Sequence, residues 1–271
     1  MTFMFKSNEV KETLQNADLH DEWISSYRTA ENERFFESAF DYILRALGAP
    51  KDATFLDAGC GSCAHSMRLA RRGYAVQAVD FSDHILSAAG ENLARNGLSA
   101  RVALRREDIL AMSFPSGTFD YVLCWGVLMH IPDVETAVSE LARVLKPGGR
   151  LVISESNVHS LQAVAFRTLK RLLRREKATL VKTSAGLEYW HSRSSGRLLT
   201  RQTDFGWMKH SFKNQGLTVT HHVSGQFTEL YTILSSPLAR RCIHGVNQLW
   251  FKYIRLPYFS FGNILILQKD A

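Results

Sequence analysis

Two carboxylates and two glycines at fixed separation are the residues of this chain best suited to chemistry. The block Phe55-Leu56-Asp57-Ala58-Gly59-Cys60-Gly61-Ser62-Cys63 passes from an apolar strand pattern through two glycines into a helical pattern. About twenty residues on, Ala75-Val76-Gln77-Ala78-Val79 ends at Asp80. Glycine allows a sharp turn and a close backbone approach that a Cβ would obstruct. A carboxylate offers acceptor oxygens to a pair of ribose hydroxyls. Together they form the layout of a nucleoside-binding crevice at the carboxyl ends of parallel strands. The bland alternative for Asp80, a helix N-cap, is already served by Ser82 and Asp83.

The elements that must position these residues alternate. An amphipathic helix over 31–47 repeats Phe35, Phe36, Phe40, Ile43, Leu44 and Leu47, and Gly48 and Pro50 stop it. Strands are expected at 53–58, 74–80, 100–104, 119–124 and 149–155, with helices at 64–72, 83–96 and 134–145. This rhythm predicts an α/β fold: a doubly wound, mostly parallel, seven-stranded sheet with helices on both faces. The rhythm breaks after Glu155. A helix over 203–215, a strand at 217–223, a helical stretch at 228–254 and a last strand at 261–267 are expected there. The chain reads as a single domain over 1–271. Within it lie an N-terminal helical segment (1–47), a cofactor-binding core (50–155), a basic helical insertion (157–200) and a second helical insertion (225–260). Both insertions follow strand carboxyl ends, so they are expected to form a lid over the cofactor face.

Composition sets the bounds. With 271 residues and 45% hydrophobic content, the chain has ample material for a core. It has no apolar run long enough to cross a bilayer and no secretory leader pattern at its start, and four cysteines are sparse, so a cytoplasmic protein is expected. Cys60 and Cys63 form a C-x-x-C, but no second Cys or His pair accompanies it, so they read as small residues of a tight loop and no metal is expected. Residues 157–213 hold twelve Lys or Arg against three Asp or Glu, although the whole chain is only +7. That segment is expected to meet something anionic.

Three details separate this crevice from an NAD site. The loop places Ala64 where the full G-x-G-x-x-G has its last glycine, a second acidic element (Glu107-Asp108-Ile109-Leu110) follows the third strand, and the fourth strand leads into Cys124-Trp125-Gly126-Val127-Leu128-Met129-His130-Ile131-Pro132-Asp133. A helix then closes through Lys146-Pro147-Gly148-Gly149 into the fifth strand. In this ordered set of blocks, over about 50–155, the chain resembles the class I S-adenosylmethionine-dependent methyltransferases, in particular their small-molecule branch of the ubiquinone and menaquinone biosynthesis type. The resemblance implies a Rossmann-like fold and S-adenosylmethionine as cofactor. It implies that Asp57, Gly59, Cys60 and Gly61 wrap the methionine end, Asp80 binds the ribose, and Phe81 lies beside the adenine. By the same resemblance Asp108 faces the adenine amino group, Ile109 packs on the ring, and Cys124 and Trp125 meet the cofactor at the end of strand four. Cys63 departs from the pattern, where many relatives carry a third glycine.

A methyl donor needs no covalent nucleophile, only an acceptor held in line and, for a hydroxyl, a base. His130 is a candidate base, or else orients the turn that follows it. Glu155 is a base or substrate acceptor, or else caps the next helix. His191, with Tyr189 and Trp190, lines an acceptor pocket or packs a lid. Tyr27, with Trp23, folds over the cofactor or packs a leading helix. Residues 161–175 form a basic amphipathic helix with Leu161, Val164, Ala165, Leu169, Leu172 and Leu173 on one side and Arg167, Lys170, Arg171, Arg174 and Arg175 on or beside the other. It packs its apolar side on the core, or it makes peripheral contact with an anionic membrane, or it lines a pocket for an anionic substrate. No RNA-binding module is recognisable, so nucleic acid is not an expected partner. The expected function is methyl transfer to a small-molecule acceptor, at an oxygen of a glycan, a lipid-linked compound or a secondary metabolite. The alternatives are N- or C-methylation of a quinone-like or other small molecule, or a catalytically silent cofactor-binding scaffold.

Overall fold

A computed structural model describes residues 2–172, 179–193 and 196–271, with the side chains of 2–7, 17, 18, 21, 24 and 25 outside the description. Three leading helices, α1 (Thr2–Leu14), α2 (Ala17–Tyr27) and α3 (Ala30–Leu47), precede the alternation. It runs β1 (Thr54–Ala58), α4 (Ala64–Arg71), β2 (Ala75–Asp80), α5 (Asp83–Arg95), β3 (Val102–Arg106), β4 (Phe119–Trp125), α6 (Val134–Val144) and β5 (Leu145–Ser156). Then come α7 (Leu161–Leu172), β6 (Thr179–Thr183), β7 (Gly186–Arg193), β8 (Gly196–Thr203), α8 (Phe205–Asn214), β9 (Leu217–Ser224), α9 (Pro237–Leu249) and β10 (Gly262–Lys269).

The main sheet has seven strands in the order β3-β2-β1-β4-β5-β10-β9. β1 to β5 pair in parallel, and β10 runs antiparallel to both of its neighbours. The chain leaves β1 toward β2 on one side and returns to β4 on the other, so the switch point lies between β1 and β4. Strand alternation divides the core between the two faces. Leu56, Ala58, Cys124 and Ile153 pack toward α6 and α8, while Phe55, Leu123 and Val152 pack toward α3 and α4. Helix α3 begins where the Thr29 hydroxyl accepts the N–H of Asn32, and ends at Gly48 in the left-handed region (φ 57°).

Two segments differ from expectation. The insertion over 157–200 is only partly helical: after α7, β6, β7 and β8 form an antiparallel meander. Its strands carry exposed polar and basic residues, so no period-2 apolar signal marks them. The stretch 228–254 is not one helix either. A 3-10 turn spans Leu230–Thr232, and α9 starts only after Ser236, whose hydroxyl accepts the N–H of Ala239 ahead of Pro237. A π turn over Trp250–Ile254 continues it.

The meander is fastened to the sheet beside the switch point. The Ser156 hydroxyl donates to the Arg201 carbonyl (3.1 Å), and the N–H of Val158 donates to the Thr203 carbonyl (3.1 Å). Arg201 is 2% exposed, and its guanidinium pairs with Glu188 (2.7 Å) while donating to the carbonyls of Leu128 (2.9 Å) and Ile131 (3.0 Å). On the other side of the meander, Trp190 and Leu199 pack on Val10 of α1. One buried cation thus joins the insertion to the loop after β4. Arg201→Ala leaves the buried Glu188 without its cation, the Trp190 indole N–H (3.0 Å) being its remaining donor, and is expected to cost about 3–5 kcal/mol of stability. Urea denaturation measures it; a loss within the range of a surface pair would remove the anchoring role.

Candidate active site

The turn after β1 is held from the end of β2. The N–H groups of Gly59 and Cys60 both donate to the Val79 carbonyl (2.9 and 2.8 Å), and the N–H of Gly61 donates to the Asp80 carboxylate (3.0 Å). Gly59 has φ +78°, and a Cβ there would lie 2.5 Å from the Val127 side chain. Cys63 occupies the left-handed region (φ 61°) without being glycine, at the position where the sequence departs from the expected pattern. The Cys60 and Cys63 thiols are free and buried, and among the described residues no cluster of His, Cys, Asp or Glu is arranged to hold a metal.

This turn floors a cleft of about 340 Å³ at the switch point. Gly59, Cys60, Gly61, Asp80, Phe81, Asp108, Ile109, Trp125 and Tyr27 all line it, as does His130. Asp57 and Cys124 do not. Asp57 is 2% exposed and accepts the Ser66 hydroxyl, so it ties β1 to α4 beneath the turn, and burial raises its carboxyl to about 6. Cys124 is fully buried among the α6-side core residues, where burial pushes the thiol well up. Both were expected at the cofactor; strand alternation sends Cys124 into the core instead.

The lining suits an adenosyl group. Each oxygen of Asp80 takes one backbone N–H, from Gly61 and from Ser82 (3.1 Å), which leaves a lone pair on each for vicinal hydroxyls. Ser82 caps α5 through the N–H of Ile85, so Asp80 is not spent on capping. Val79, Ile85 and Ile109 supply an apolar wall for a flat ring. Asp108 forms an ion pair with Lys11, which brings α1 across the cleft.

A second cavity of about 520 Å³ shares Trp23, Tyr27, His65, Trp125 and His130 with the cleft. Glu155, Tyr189 and His191 line it; Trp190, on the opposite side of β7, is buried against α1. The Nδ1 of His130 lies 2.7 Å from the Leu199 carbonyl. A carbonyl only accepts, so the proton is on Nδ1 and Nε2 is an acceptor. His130 also stacks on Trp23 (5.0 Å between centroids), and burial lowers its pKa to about 4, leaving it a weak base. Glu155 is 3% exposed. Its Oε1 accepts the N–H of Leu128 (2.9 Å), and among the described residues its Oε2 has no partner. It therefore holds the 3-10 turn that carries His130, whereas the following helix is capped by Ser160. Burial pushes the Glu155 carboxyl to about 8, so it is mostly protonated at neutral pH. Burial lowers the pKa of His191, which is exposed at the rim.

Sequence reasoning missed Glu229. It faces the second cavity, and its carboxylate accepts the Tyr27 hydroxyl (3.3 Å). Burial raises it to about 7, against the lowering effect of that hydrogen bond. The available signal was its isolation: no Asp or Glu follows it until Asp270. His65, stacked on Phe40 and contacting Trp125, was missed as well, since its neighbours come from α3 and β4.

Comparison with known proteins agrees with this geometry. Residues 56–153 match the family model described as a methyltransferase domain. A sterol 24-C-methyltransferase of Neurospora crassa is 30% identical over 132 residues, covering 47% of this chain and 35% of that protein. A ubiquinone biosynthesis O-methyltransferase of Xanthomonas axonopodis pv. citri is 32% identical over 128 residues, covering 46% and 53%. The chain thus spans about a third to a half of the length of these curated relatives. Among solved structures, magnesium protoporphyrin IX methyltransferase from Synechocystis PCC 6803 with bound SAH superposes with TM-score 0.63 at 16% identity, covering 94% of this chain and 96% of that one, a likeness of fold.

Asp80→Ala is expected to weaken S-adenosylhomocysteine binding by about 1–3 kcal/mol, the loss of charged hydrogen bonds. Calorimetry tests this, and an unchanged dissociation constant would contradict the ribose role. Residues 56–153, which carry the ordered motifs and the strands around the switch-point cleft, thus match a methyltransferase domain.

Proposed function

We propose that the chain transfers a methyl group from S-adenosylmethionine to a hydroxyl oxygen of a small molecule seated in the second cavity, with Glu229 receiving the acceptor's proton. The cofactor supplies an electrophilic methyl group on a sulfonium, so the protein's task is alignment and proton removal. The observation that carries this reading is a half-buried carboxylate, raised to about 7, on the wall of a cavity that adjoins the cofactor cleft. A base tuned near the working pH is what a hydroxyl acceptor requires.

The other residues have supporting roles in this reading. Tyr27 donates to Glu229 and also lines the cofactor cleft, so it holds the base beside the shared wall. Neutral His130 presents Nε2 as an acceptor, and protonated Glu155 has a donor to offer from Oε2. The walls combine apolar rings (Phe35, Phe36, Phe166, Phe261) with the cations Arg167 and Lys170 on one side. That mixture favours an acceptor with an apolar body and an anionic or strongly polar group, as in a lipid-linked or secondary-metabolite intermediate. Arg167 is itself fixed by Gln202 (2.9 Å) and the Val158 carbonyl (2.7 Å).

A carbon acceptor is the second reading, because one matched relative is a sterol 24-C-methyltransferase. Incubating labelled donor with fractionated extracts identifies the acceptor, and NMR of the product separates O-methyl from C-methyl. For an oxygen acceptor, activity is expected to rise with pH through about 7 as Glu229 loses its proton. Glu229→Gln is expected to lower kcat by about 10²–10⁴-fold and to abolish that rising limb, with S-adenosylhomocysteine binding retained. A rising limb that survives in Glu229→Gln would assign the proton to another group.

A further inference from the structure

Helix α7 has two sides in different surroundings. Ala163 is buried, and Phe166 and Arg167 face the second cavity. Leu161, Val164, Leu169 and Leu172 point outward, with Leu172 76% exposed. An amphipathic helix ordinarily turns its apolar stripe to the core; here most of that stripe faces away from it. Residues 173–175, which extend the basic pattern in the sequence, lie outside the described residues. Helix α9 and its π turn behave similarly: Leu238, Val246, Leu249, Tyr253 and Ile254 are exposed, Tyr253 at 69%. Leu256, Tyr258 and Phe259 continue the exposed apolar run toward α7.

The two elements are joined by backbone and side-chain hydrogen bonds. The N–H of Leu161 donates to the Phe259 carbonyl (3.2 Å). Gln162 accepts the N–H of Glu229 (2.8 Å) and the Thr228 hydroxyl, and Asn247 of α9 brackets Thr228 through its N–H (3.0 Å) and its carbonyl (2.9 Å). The outward leucines and aromatics therefore belong to one connected part of the molecule. Exposed apolar groups on this scale mark an interaction surface.

Charge selects the partner. The sequence has no Asp or Glu between residues 156 and 175 or between 230 and 269, while Arg171, Arg240, Arg241 and Lys252 lie among the apolar positions. A two-fold contact with a second copy is self-complementary, so α7 and α9 would meet their copies with no acid of their own to balance these cations; the nearby acid Glu31 already shares a pocket with Arg240 and Arg241. An anionic bilayer supplies both the negative charge and an apolar layer for leucine and tyrosine side chains. Among the described residues no helix is long and apolar enough to cross a membrane, so the contact is with its surface. We propose that the exposed face of α7 and α9 docks on an anionic lipid bilayer. This inference stands on the outward side chains and does not rest on the acceptor reading, although α7 is also a wall of the acceptor cavity.

Cosedimentation of the full chain with vesicles of phosphatidylcholine, and of phosphatidylcholine mixed with phosphatidylglycerol, tests it. Binding to the mixed vesicles and much weaker binding to the neutral ones is expected. Arg171→Glu with Lys252→Glu, and separately Leu172→Glu with Tyr253→Glu, are each expected to reduce the vesicle-bound fraction by about tenfold or more. All four side chains are exposed, and the stabilisation of each variant by S-adenosylhomocysteine verifies its fold. No binding to mixed vesicles, equal binding by folded variants, or a wild-type dimer that the Leu172→Glu, Tyr253→Glu variant makes monomeric would overturn the proposal, the last by assigning the face to a second copy. Methyl transfer to a soluble acceptor is read separately, so a failed docking surface leaves the Glu229 reading untouched, and the reverse.

Discussion

The fold depends at its centre on a small backbone arrangement: the last two residues of β2 grip the turn that leaves β1. The Val79 carbonyl receives two N–H groups, and the Asp80 carboxylate a third. Without those acceptors three buried donors in a glycine turn would have no partner. With them, the turn stays open at the switch point and presents Asp80 with acceptor capacity remaining. The sheet order, the core on both faces and the Asp57–Ser66 contact beneath all act to keep these two strand ends in register.

Around that centre the protein places carboxyl groups where water solvates them poorly. Asp57, Glu229 and Glu155 rise to about 6, 7 and 8, in each case chiefly through burial. An acid with a raised folded pKa keeps a proton that the unfolded chain releases. Its contribution to stability is full below the ordinary carboxylate range and falls away as pH climbs through the raised value. The fold therefore gives up stability toward alkaline pH in exchange for groups that titrate near neutrality beside the two cavities.

How much of this was legible follows from what each segment packs against. β1, β2, β4 and β5 are buried on both faces by helices, so they read as short apolar runs between glycines, and their order was recoverable. The place of Asp80 at the cleft was legible because Ser82 removes the competing capping role. The meander was not: β6 is largely exposed, and β7 and β8 carry Glu188, His191, Arg193 and Arg197 among their apolar residues. The start of α9 is set by Ser236-Pro237, which apolar spacing alone passes over. Glu229 stands isolated in the sequence, but its partner is Tyr27, some two hundred residues earlier, and no local pattern joins them. Cys124 was misplaced because matching a strand end to the cofactor says nothing about which way a given side chain points.

The meander bears on both cavities at once. On one side Trp190 and Leu199 support α1, whose Val10, Lys11 and Leu14 lie along the switch-point cleft. On the other, the Leu199 carbonyl fixes His130 and Arg201 fastens the loop that carries it. Roof and histidine thus hang from one truss. A sequence change that shifts the Trp190 ring would tilt the cover of the cleft and the histidine beside the second cavity together, and α7, through Arg167 on Gln202, leans on the same frame.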